Sequence, residues 1–394
     1  MKKKINGYNE IINLGLQPVS NRYNKSPNKE CLKTDLILEQ SSETGIIKLK
    51  NSRNPIIYKP LVKWIKYNEP EPHLDQFVNA ILKKYFNNKK IIVGGISSKD
   101  DSTLDRFLKL GHKIWRIDEK KDLKISYGSG IETIQHYLRK NKLIHLNKKY
   151  DKVDFLVVRH IWEHVYNQKE FSDVLKGLIK KDGIIFIEIP DCRKLLKSKD
   201  ITMIWEEHLF YYTSETIITS LRQNGLRVIS KKIISYPTEN SILLCVKPYK
   251  KKRNLISNLN NLKKEISLGF NYGKQYQKNK KYLNKLFSLV TKKKKEIVLF
   301  GGGHLSLAFI AFYDIYKYIS FIVDDDVNKK GMFMPGSSIQ IKSSNELINK
   351  QNILLLLTVN LTSEKKLINL IKKKNGNIKI KSIFPLSTYS IFKK

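Results

Sequence analysis

Short apolar segments alternate with amphipathic helical segments along most of this chain, and this alternation limits the possible folds more than any other feature. Apolar segments typical of strands occur at KIIVGGI (90–96), KIWRID (113–118), VDFLVVRH (153–160), IIFIEIP (184–190) and ILLCV (242–246). Helical periodicity occurs at HLDQFVNAILKKYF (73–86), TLDRFLKLG (103–111) and EFSDVLKGLIKKDG (170–183), the last closed by a glycine. Because strands and helices that alternate in this way form parallel, doubly wound sheets, the sequence predicts an α/β unit over residues 76–250.

The same alternation restarts near the C-terminus, after a lysine-rich helical stretch at 251–295. A strand, a glycine turn and a helix follow in EIVLFGGGHLSLAFIAFY (296–313). Further strands are indicated at YISFIVDDD (318–326), ILLLLTV (353–359) and IKIKSIFP (378–385), with a helix at SEKKLINLIKKKN (363–375). The sequence therefore predicts a second α/β unit over 296–394, joined by a helical connector. Residues 1–75 carry turn signals without clear periodicity, which predicts a small irregular region.

Composition excludes two classes of protein. No apolar run approaches the roughly 18 residues of a membrane-spanning helix, and the basic N-terminus, MKKKINGYNE, lacks the apolar core of a secretory signal. The three cysteines lie far apart and form no CxxC pair, which argues against a disulfide framework. We expect a cytoplasmic protein with no membrane partner.

The net charge of +38 is compatible with nucleic-acid binding, but its distribution argues against it. Lysine is spread along the whole chain together with abundant Ile and Asn. The densest runs, KPYKKKR (247–253) and KKKK (292–295), fall where linkers are expected, and a charge run in a linker is usually solvated. A nucleic-acid partner is therefore not expected.

A loop and an acid in the first α/β unit suggest a nucleoside site. The loop GGISSKDDST (94–103) follows one strand, and Asp118 ends the next. In nucleoside-binding α/β folds such a loop passes close to the ligand and the acid accepts ribose hydroxyls. Gly94 and Gly95 permit a close backbone approach, although the loop lacks a GxGxxG pattern. The alternative is an ordinary turn with Asp101 or Ser102 as helix cap.

RHIWEHV (159–165) places two histidines and an acid at the carboxyl end of a strand, where open α/β sheets bind ligands. His160 and His164 would share one face of a helix, beside Glu163, and HxxEH can bind zinc on a helix. That interpretation needs an established helix and a third, remote ligand. Packing of the histidines in the core is the other alternative.

IWEEHLFYYT (204–213) sets Glu206, Glu207 and His208 among apolar and aromatic residues. Charged groups seldom occur in such surroundings unless they are paired or functional. An imidazole near neutral pH suits a general base. The alternative is a helix cap with a solvated Glu pair and a histidine packed on aromatic rings.

These motifs occur in the order of similar motifs in one family. The further matching segments are LGLQPVSNRY (14–23), EIPD (188–191), FGGGH (300–304) and VDDDVNKKGMFMPGSSIQI (323–341). With them the chain resembles the S-adenosylmethionine-dependent sugar C-methyltransferases. The resemblance implies a zinc-binding N-terminal domain, a class I methyltransferase core with a Rossmann-like sheet, and a Rossmann-like C-terminal domain.

Two departures from the family accompany this resemblance. The family's first CxxC pair is missing, and Ser41 and Thr44 stand where the second is expected, so we expect no zinc. The glycine loop, usually of the form GSNDG, is GGISSKDDST here, which keeps an acid but exchanges glycine for serine.

The resemblance implies a function and the residues that perform it. The substrate would be a nucleotide-linked keto sugar, methylated on carbon through an enolate, with His208 as base and Glu207 and His164 beside it. S-adenosylmethionine would be bound by Gly94, Gly95, Ser97, Asp101, Asp118, Arg159 and His160. The sugar, the carbon, the nucleotide and the oligomeric state stay open.

Three alternatives also stay open. The chain could be a methyltransferase-like protein that has lost catalysis and binds a sugar nucleotide. A methyltransferase acting on nucleic acid is supported only by charge. The segment FGGGHLS (300–306) could hold the substrate's pyrophosphate, or the C-terminal unit could simply cover the active site.

Overall fold

The computed structural model describes residues 7–27, 30–51, 55–58, 70–125, 131–249, 259–348 and 350–393. The strands in these residues are β1 (Tyr8–Pro18), β2 (Lys33–Ser41), β3 (Ile47–Leu49), β4 (Ile92–Gly95), β5 (Lys113–Arg116), β6 (Val153–Arg159), β7 (Ile179–Asp191), β8 (Phe210–Tyr211), β9 (Leu226–Ile234), β10 (Asn240–Pro248), β11 (Glu296–Phe300), β12 (Ile319–Val323), β13 (Ile341–Lys342), β14 (Ile353–Leu357) and β15 (Lys379–Ser382). The α-helices are α1 (His73–Phe86), α2 (Asp101–Lys109), α3 (Ile131–Tyr137), α4 (Lys140–Lys149), α5 (Gln168–Leu178), α6 (Arg193–Ser198), α7 (Thr216–Gln223), α8 (Leu259–Lys292), α9 (His304–Tyr313) and α10 (Leu361–Lys374).

Six strands of the described residues form the central sheet, in the order β5-β4-β6-β7-β10-β9. β5, β4, β6 and β7 run parallel, and β10 is antiparallel to both neighbours. Alternate residues of β6 enter different apolar clusters, Phe155 and Val157 on one face and Leu156 and Val158 on the other. Burial on both faces explains the unbroken apolar run. The predicted α/β fold is confirmed.

The strand order of this sheet also indicates where a ligand binds. The chain passes from β4 outward to β5 and then returns past β4 to β6, so the order reverses beside β4. Open α/β sheets bind ligands at the carboxyl ends of the strands beside such a reversal. The segments that follow β4, β5 and β6 are therefore the first candidates for the site.

The C-terminal residues form a parallel sheet with the order β13-β12-β11-β14-β15. β11 and β14 carry the apolar runs that the sequence assigned to strands, and α9 is buried along nearly its whole length. Both faces of this sheet are covered, which is the condition for a stable parallel sheet. The second α/β unit is thus present.

The N-terminal region is more regular than the sequence predicted. β1, β2, β3 and β8 form an antiparallel sheet in that order. The pairing of β1 with β2 shifts register after Glu10 and again after Asn13, and such irregular pairing hides the strand periodicity in the sequence. Its last strand, β8, comes from the 204–213 segment, so the N-terminal sheet holds one end of that segment.

Two further boundaries differ from the prediction. The helix expected to end at Gly183 ends at Leu178, because the chain enters β7 at Ile179 and Gly183 lies inside that strand. β9 was not predicted, because its polar residues, such as Lys231 and Lys232, obscure the strand pattern.

The lysine-rich connector is largely one helix, α8, and it packs closely against its surroundings. A Cβ atom at Gly273 would lie 2.0 Å from the Ile11 carbonyl oxygen, so only glycine lets α8 approach β1 this closely. Tyr276 donates to the Phe312 carbonyl in the C-terminal unit. Of the run at 247–253, where a linker is expected, residues 250–253 lie outside the described residues, and Lys247 and Pro248 belong to β10. None of the helices in the described part of the chain has the length and apolar character to cross a bilayer.

Candidate active site

Asp100, a fully buried carboxylate, organises the loop between β4 and α2. Its oxygens accept hydrogen bonds from the backbone N–H groups of Ile96 (2.7 Å), Ser97 (2.8 Å) and Arg159 (2.9 Å). Burial raises the pKa of Asp100 to about 7, while these hydrogen bonds act in the opposite direction. The acid thereby ties the glycine loop to the end of β6.

The predicted helix cap at Asp101 or Ser102 is wrong. Ser97 caps a 3-10 turn at Ser98–Asp100 and forms a capping box with Asp100, so the turn begins before α2. Asp101 is already inside α2 and pairs with Arg116, with 2.6 Å between Asp101 Oδ1 and Arg116 Nε.

The two glycines of the loop are required by packing. A Cβ at Gly94 would lie 2.8 Å from Trp115, and one at Gly95 would lie 2.7 Å from Leu104. Packing within the fold therefore accounts for glycine at both positions, independently of the ligand contact that the sequence suggested.

Asp118 follows β5 at the carboxyl edge of the sheet and is only partly buried. Its Oδ1 accepts hydrogen bonds from the backbone N–H groups of Lys120 (3.0 Å) and Lys121 (2.9 Å), and its own N–H donates to Asp122 (2.8 Å). The hydrogen bond from Lys121 is the main cause that lowers the pKa of Asp118. Its Oδ2 has no hydrogen-bond partner among the described residues and could accept ligand hydroxyls.

Arg159 is buried in an ion-pair network at the end of β6. Its Nε donates to Glu188 (2.6 Å), and one terminal nitrogen donates to Glu71 (3.0 Å) and to the Lys99 carbonyl (2.7 Å). Although burial acts to raise it, the pKa of Glu188 is lowered by a contact with His73 and by neighbouring cations, Arg159 included. Arg159 thus joins β6, β7 and the glycine loop.

His160 occupies a strained position immediately after β6. Its φ is 52°, in the left-handed region that non-glycine residues seldom adopt. The imidazole lies between two carboxylates, with Nδ1 3.8 Å from Glu163 and Nε2 3.9 Å from Glu188. Such strain at the carboxyl edge of a parallel sheet is typical of a functional position.

Glu163, His164 and His208 come together at this edge. One oxygen or nitrogen atom from each lies within 4.8 Å of the others. His164 Nδ1 contacts the Glu207 carbonyl oxygen at 2.8 Å, and since a carbonyl only accepts, this nitrogen donates the hydrogen. The HxxEH motif itself lies on a 3-10 turn, Trp162–His164, instead of a helix.

The composition of this cluster suits either a transition metal or proton transfer. Coordination would require a lone pair from each imidazole directed at one point. His164 and His208 pack edge to face, with ring centroids 4.7 Å apart and planes at 89°. This geometry is compatible with both roles.

The surroundings of His208 favour its neutral form. Burial, followed by the electrostatic influence of His164 and His160, lowers the pKa of His208 well below its usual value. An unprotonated imidazole keeps a lone pair available at neutral pH, as a general base requires.

The two glutamates before His208 have different environments. Glu206 is buried and accepts hydrogen bonds from the Ser20 N–H (2.7 Å) and hydroxyl (2.8 Å), while His304 Nδ1 lies 3.9 Å away. The His304 ring also stacks on Trp205, with centroids 3.5 Å apart. Glu207 is partly buried, and the contact that places it beside His164 is made by its carbonyl.

The aromatic residues of this run are mostly structural. Tyr211 exchanges hydrogen bonds with the backbone of Trp205, and Tyr212 is buried against Gln168 and Ser220. Both side chains are almost fully buried in the core.

The glycine loop of the C-terminal unit is occupied by protein groups. The Gly302 N–H donates to Asp324 (2.7 Å), Lys329 pairs with the same carboxylate oxygen (3.0 Å), and the Tyr23 hydroxyl donates to the Gly302 carbonyl (2.7 Å). These contacts leave Asp324 engaged where a nucleotide-binding acid would be expected to hold a ribose.

The turn at residues 41–45 does not fit a zinc site. The Ser41 hydroxyl accepts hydrogen bonds from the N–H groups of Glu43 (3.2 Å) and Thr44 (3.1 Å), and the Gly45 N–H donates to the Ser41 carbonyl (2.9 Å). These hydroxyl groups cap a backbone turn, and neither is a thiolate.

Comparison with known proteins agrees with this description. Residues 95–231 match the family model described as a methyltransferase domain, and residues 253–378 match the one described as a C-methyltransferase C-terminal domain. The C-methyltransferase NovU of Streptomyces niveus is 22% identical over 283 residues, which is 69% of this chain and 67% of that protein.

Solved structures are similar at low identity. They include a 1,6-didemethyltoxoflavin-N1-methyltransferase of Burkholderia thailandensis (9% identity, 47% of this chain and 94% of that chain, TM-score 0.29). Another is the magnesium protoporphyrin IX methyltransferase of Synechocystis PCC 6803 (15% identity, 47% and 90%, TM-score 0.31).

The central sheet, its glycine loop and the domain match define the protein as a methyltransferase. The second domain match and the NovU similarity make the identification more specific. Over these two matched domains the chain is similar to the S-adenosylmethionine-dependent C-methyltransferases.

The structure brings His164 and His208 together, with the Glu207 backbone beside them, and it places the predicted cofactor residues along the carboxyl edge. Sequence reasoning missed Asp100, although Ser97 three residues earlier is a capping-box spacing that could have revealed it. It also missed His73, whose contact with Glu188 links distant parts of the chain and has no local signal.

Proposed function

We propose that this enzyme transfers a methyl group from S-adenosylmethionine to the carbon beside the ketone of a nucleotide-linked sugar, with His208 as the base. The observation that carries the proposal is the cluster of Glu163, His164 and His208 at the carboxyl edge of a methyltransferase sheet. Carbon is a poor nucleophile, so methylation on carbon requires a base, and this cluster supplies one imidazole held neutral, that of His208, beside a carboxylate.

The residues for the cofactor are those at the ends of β4, β5 and β6. Asp118 would accept the ribose hydroxyls through Oδ2, and the loop at Gly94, Gly95 and Ser97 would lie along the methionine part. The proposed set is completed by Asp101, Arg159 and His160. Arg159 is buried and would act by holding the end of β6 and the glycine loop together. S-adenosylmethionine, when bound, supplies an electrophilic methyl group.

His208 would remove the proton from the carbon next to the ketone. The electron pair of the broken C–H bond then forms the enolate, and the enolate carbon forms a bond to the methyl group while the carbon–sulfur bond breaks. His164, oriented by the Glu207 carbonyl, would hold the ketone side of the substrate or assist His208. The Glu207 side chain would hold a sugar hydroxyl.

The nucleotide of the substrate would bind away from the C-terminal glycine loop. Gly302 and Asp324 already satisfy each other, which favours the view that the C-terminal unit covers the active site. His304 of that unit stacks on Trp205 of the catalytic segment.

The test uses the full chain with a nucleotide-linked 4-keto sugar in deuterated water. With S-adenosylhomocysteine in place of the donor, the proton beside the ketone should exchange for deuterium. With labelled S-adenosylmethionine, NMR should then find the methyl group on that same carbon. A methyl group on oxygen or nitrogen would contradict the proposal, and binding of the sugar nucleotide without donor binding would favour a lapsed enzyme.

A further inference from the structure

A chain of acid and base side chains leads from the proposed base to the protein surface. Its members alternate between imidazoles and carboxylates and end at a phenol: His208, Glu163, His160, Glu188, His73 and Tyr236. They come from the segments after β6 and before β8, from β7, from the start of α1 and from the β9–β10 turn. Residues this far apart in sequence meet only in the folded chain.

The inner members of this relay lie close to one another but beyond hydrogen-bond distance. His208 and Glu163 belong to the cluster within 4.8 Å, and the two ring nitrogens of His160 lie 3.8 Å from Glu163 and 3.9 Å from Glu188. A shift of about 1 Å in the His160 ring brings either nitrogen to hydrogen-bond distance. An imidazole with a carboxylate at each nitrogen can take a proton on one side and release it on the other.

The outer half of the chain is already joined. His73 Nε2 lies 2.9 Å from Glu188 Oε1, the same oxygen that faces His160, and His73 Nδ1 lies 2.5 Å from the Tyr236 hydroxyl. Glu188 and His73 are buried, whereas Tyr236 is only partly buried. The Tyr236 phenol is therefore the point at which this series of side chains reaches solvent.

The reaction requires an exit for a proton. Each turnover under the proposed function breaks one C–H bond, and the proton must reach solvent before the base can act again. We propose that the proton taken by His208 leaves through Glu163, His160, Glu188, His73 and Tyr236. This inference rests on the proposed function, because it needs a base that collects one proton in each turnover.

The transfer is balanced at every member. A proton enters His73 at Nε2 from Glu188, and a different proton leaves Nδ1 to the Tyr236 oxygen, whose own hydroxyl proton passes to water. No member gains or loses electrons. The relay explains the strained backbone of His160, because this backbone conformation holds the imidazole ring between Glu163 and Glu188.

His73→Gln tests the relay. Glutamine keeps a donor for Glu188, so the fold and the buried charge stay satisfied, but an amide cannot pass a proton at neutral pH. The first turnover should proceed, because His208 can hold one proton, and later turnovers should be slow. Rapid-quench measurements should show a burst of one methyl group per chain, followed by a steady rate roughly tenfold to a hundredfold below the original enzyme.

Two further variants complete the test. Tyr236→Phe removes only the outer hydroxyl and should produce the same burst with a smaller loss of steady rate. Tyr85→Phe, on the same helix as His73, is the matched control, because the Tyr85 hydroxyl has no hydrogen-bond partner among the described residues. It should leave both phases unchanged.

The outcomes separate the relay from the proposed function. If His73→Gln and Tyr236→Phe keep the original steady rate without a burst, the relay is wrong. If His73→Gln does not fold, Tyr236→Phe decides alone. If His208→Asn leaves deuterium exchange at the substrate carbon intact, the proposed function is wrong. If His208→Asn loses that exchange while His73→Gln keeps the kinetics of the original enzyme, only the relay is wrong.

Discussion

The chain contains two strand–glycine–helix units with an acid at the end of the next strand, and they use that acid differently. In the central sheet, Asp100 holds the loop and Asp118 keeps one carboxylate oxygen without a partner among the described residues. In the C-terminal sheet, Asp324 holds the loop itself and also pairs with Lys329.

This difference shows why a glycine loop followed by an acid is a weak indicator of nucleoside binding. A loop needs an acceptor for its own N–H groups, and only a second acid is then available to a ligand. The central unit has both acids, whereas in the C-terminal unit the loop is held by Asp324, the acid that directly follows the strand. We therefore expect cofactor and chemistry at the central sheet alone.

The largest effect should follow removal of the base at the central sheet. His208→Asn keeps a polar side chain of similar size but cannot accept a proton at neutral pH. Methyl transfer should fall by roughly 10²–10⁴-fold, the usual contribution of a positioned base. Initial rates with saturating donor and substrate measure this loss.

Two variants control the His208 measurement. His145→Asn changes an exposed histidine and should leave the rate unchanged. Glu207→Gln should cause a smaller loss than His208→Asn, because the contact with His164 is made by the backbone. Near-normal turnover of His208→Asn would show that His208 is not the base and only packs among aromatic rings.

The comparison predicts unequal effects of the two acids, Asp118 and Asp324, on donor binding. Asp118→Ala removes the carboxylate proposed for the ribose hydroxyls and should weaken S-adenosylmethionine binding roughly tenfold to a hundredfold, the range for a hydrogen bond to a charged group. Asp324→Asn keeps an acceptor for Gly302 and should leave the dissociation constant unchanged. Calorimetry on both variants measures the dissociation constant for S-adenosylmethionine. Equal losses of affinity would show that the two units do not differ in donor binding.

A smaller effect is expected at the C-terminal loop. Gly303 has an extended backbone conformation, and a Cβ added there meets no atom within 4 Å, so Gly303→Ala is compatible with the fold. KM for the sugar nucleotide should stay within about twofold, as for a substitution that removes no contact. A large rise in KM would show that the loop approaches the substrate's phosphates, and the comparison would then be wrong.

The sequence predicted the sheets well because local pattern determines them. β6 and β14 are unbroken apolar runs whose burial on both faces requires such residues. β1 and β9 escaped prediction because register shifts in one and lysines in the other disturb the two-residue period. α8 was expected to be a connector, and the charge on its exposed side concealed a buried side that includes Tyr272 and Phe287.

The site was predictable only in part. His164 and His208 stood out because charged residues occurred in apolar or strand-end surroundings. The contacts of Glu206 with Ser20 and of Glu188 with His73 join segments more than a hundred residues apart, so no local pattern could reveal them.

The smallest effect is expected from metal removal, which extends the comparison to the N-terminal turn. As in the C-terminal loop, the polar groups of the turn from Ser41 to Gly45 form hydrogen bonds within the protein. The purified protein should contain no stoichiometric zinc, and a chelator should leave its unfolding temperature unchanged. Ser41→Ala, in contrast, should lower stability by about 0.5–2 kcal/mol, the scale for loss of a hydroxyl cap. Elemental analysis that finds about one zinc per chain, or a chelator-induced drop in unfolding temperature, would contradict this expectation, because structural zinc sites contribute directly to folding.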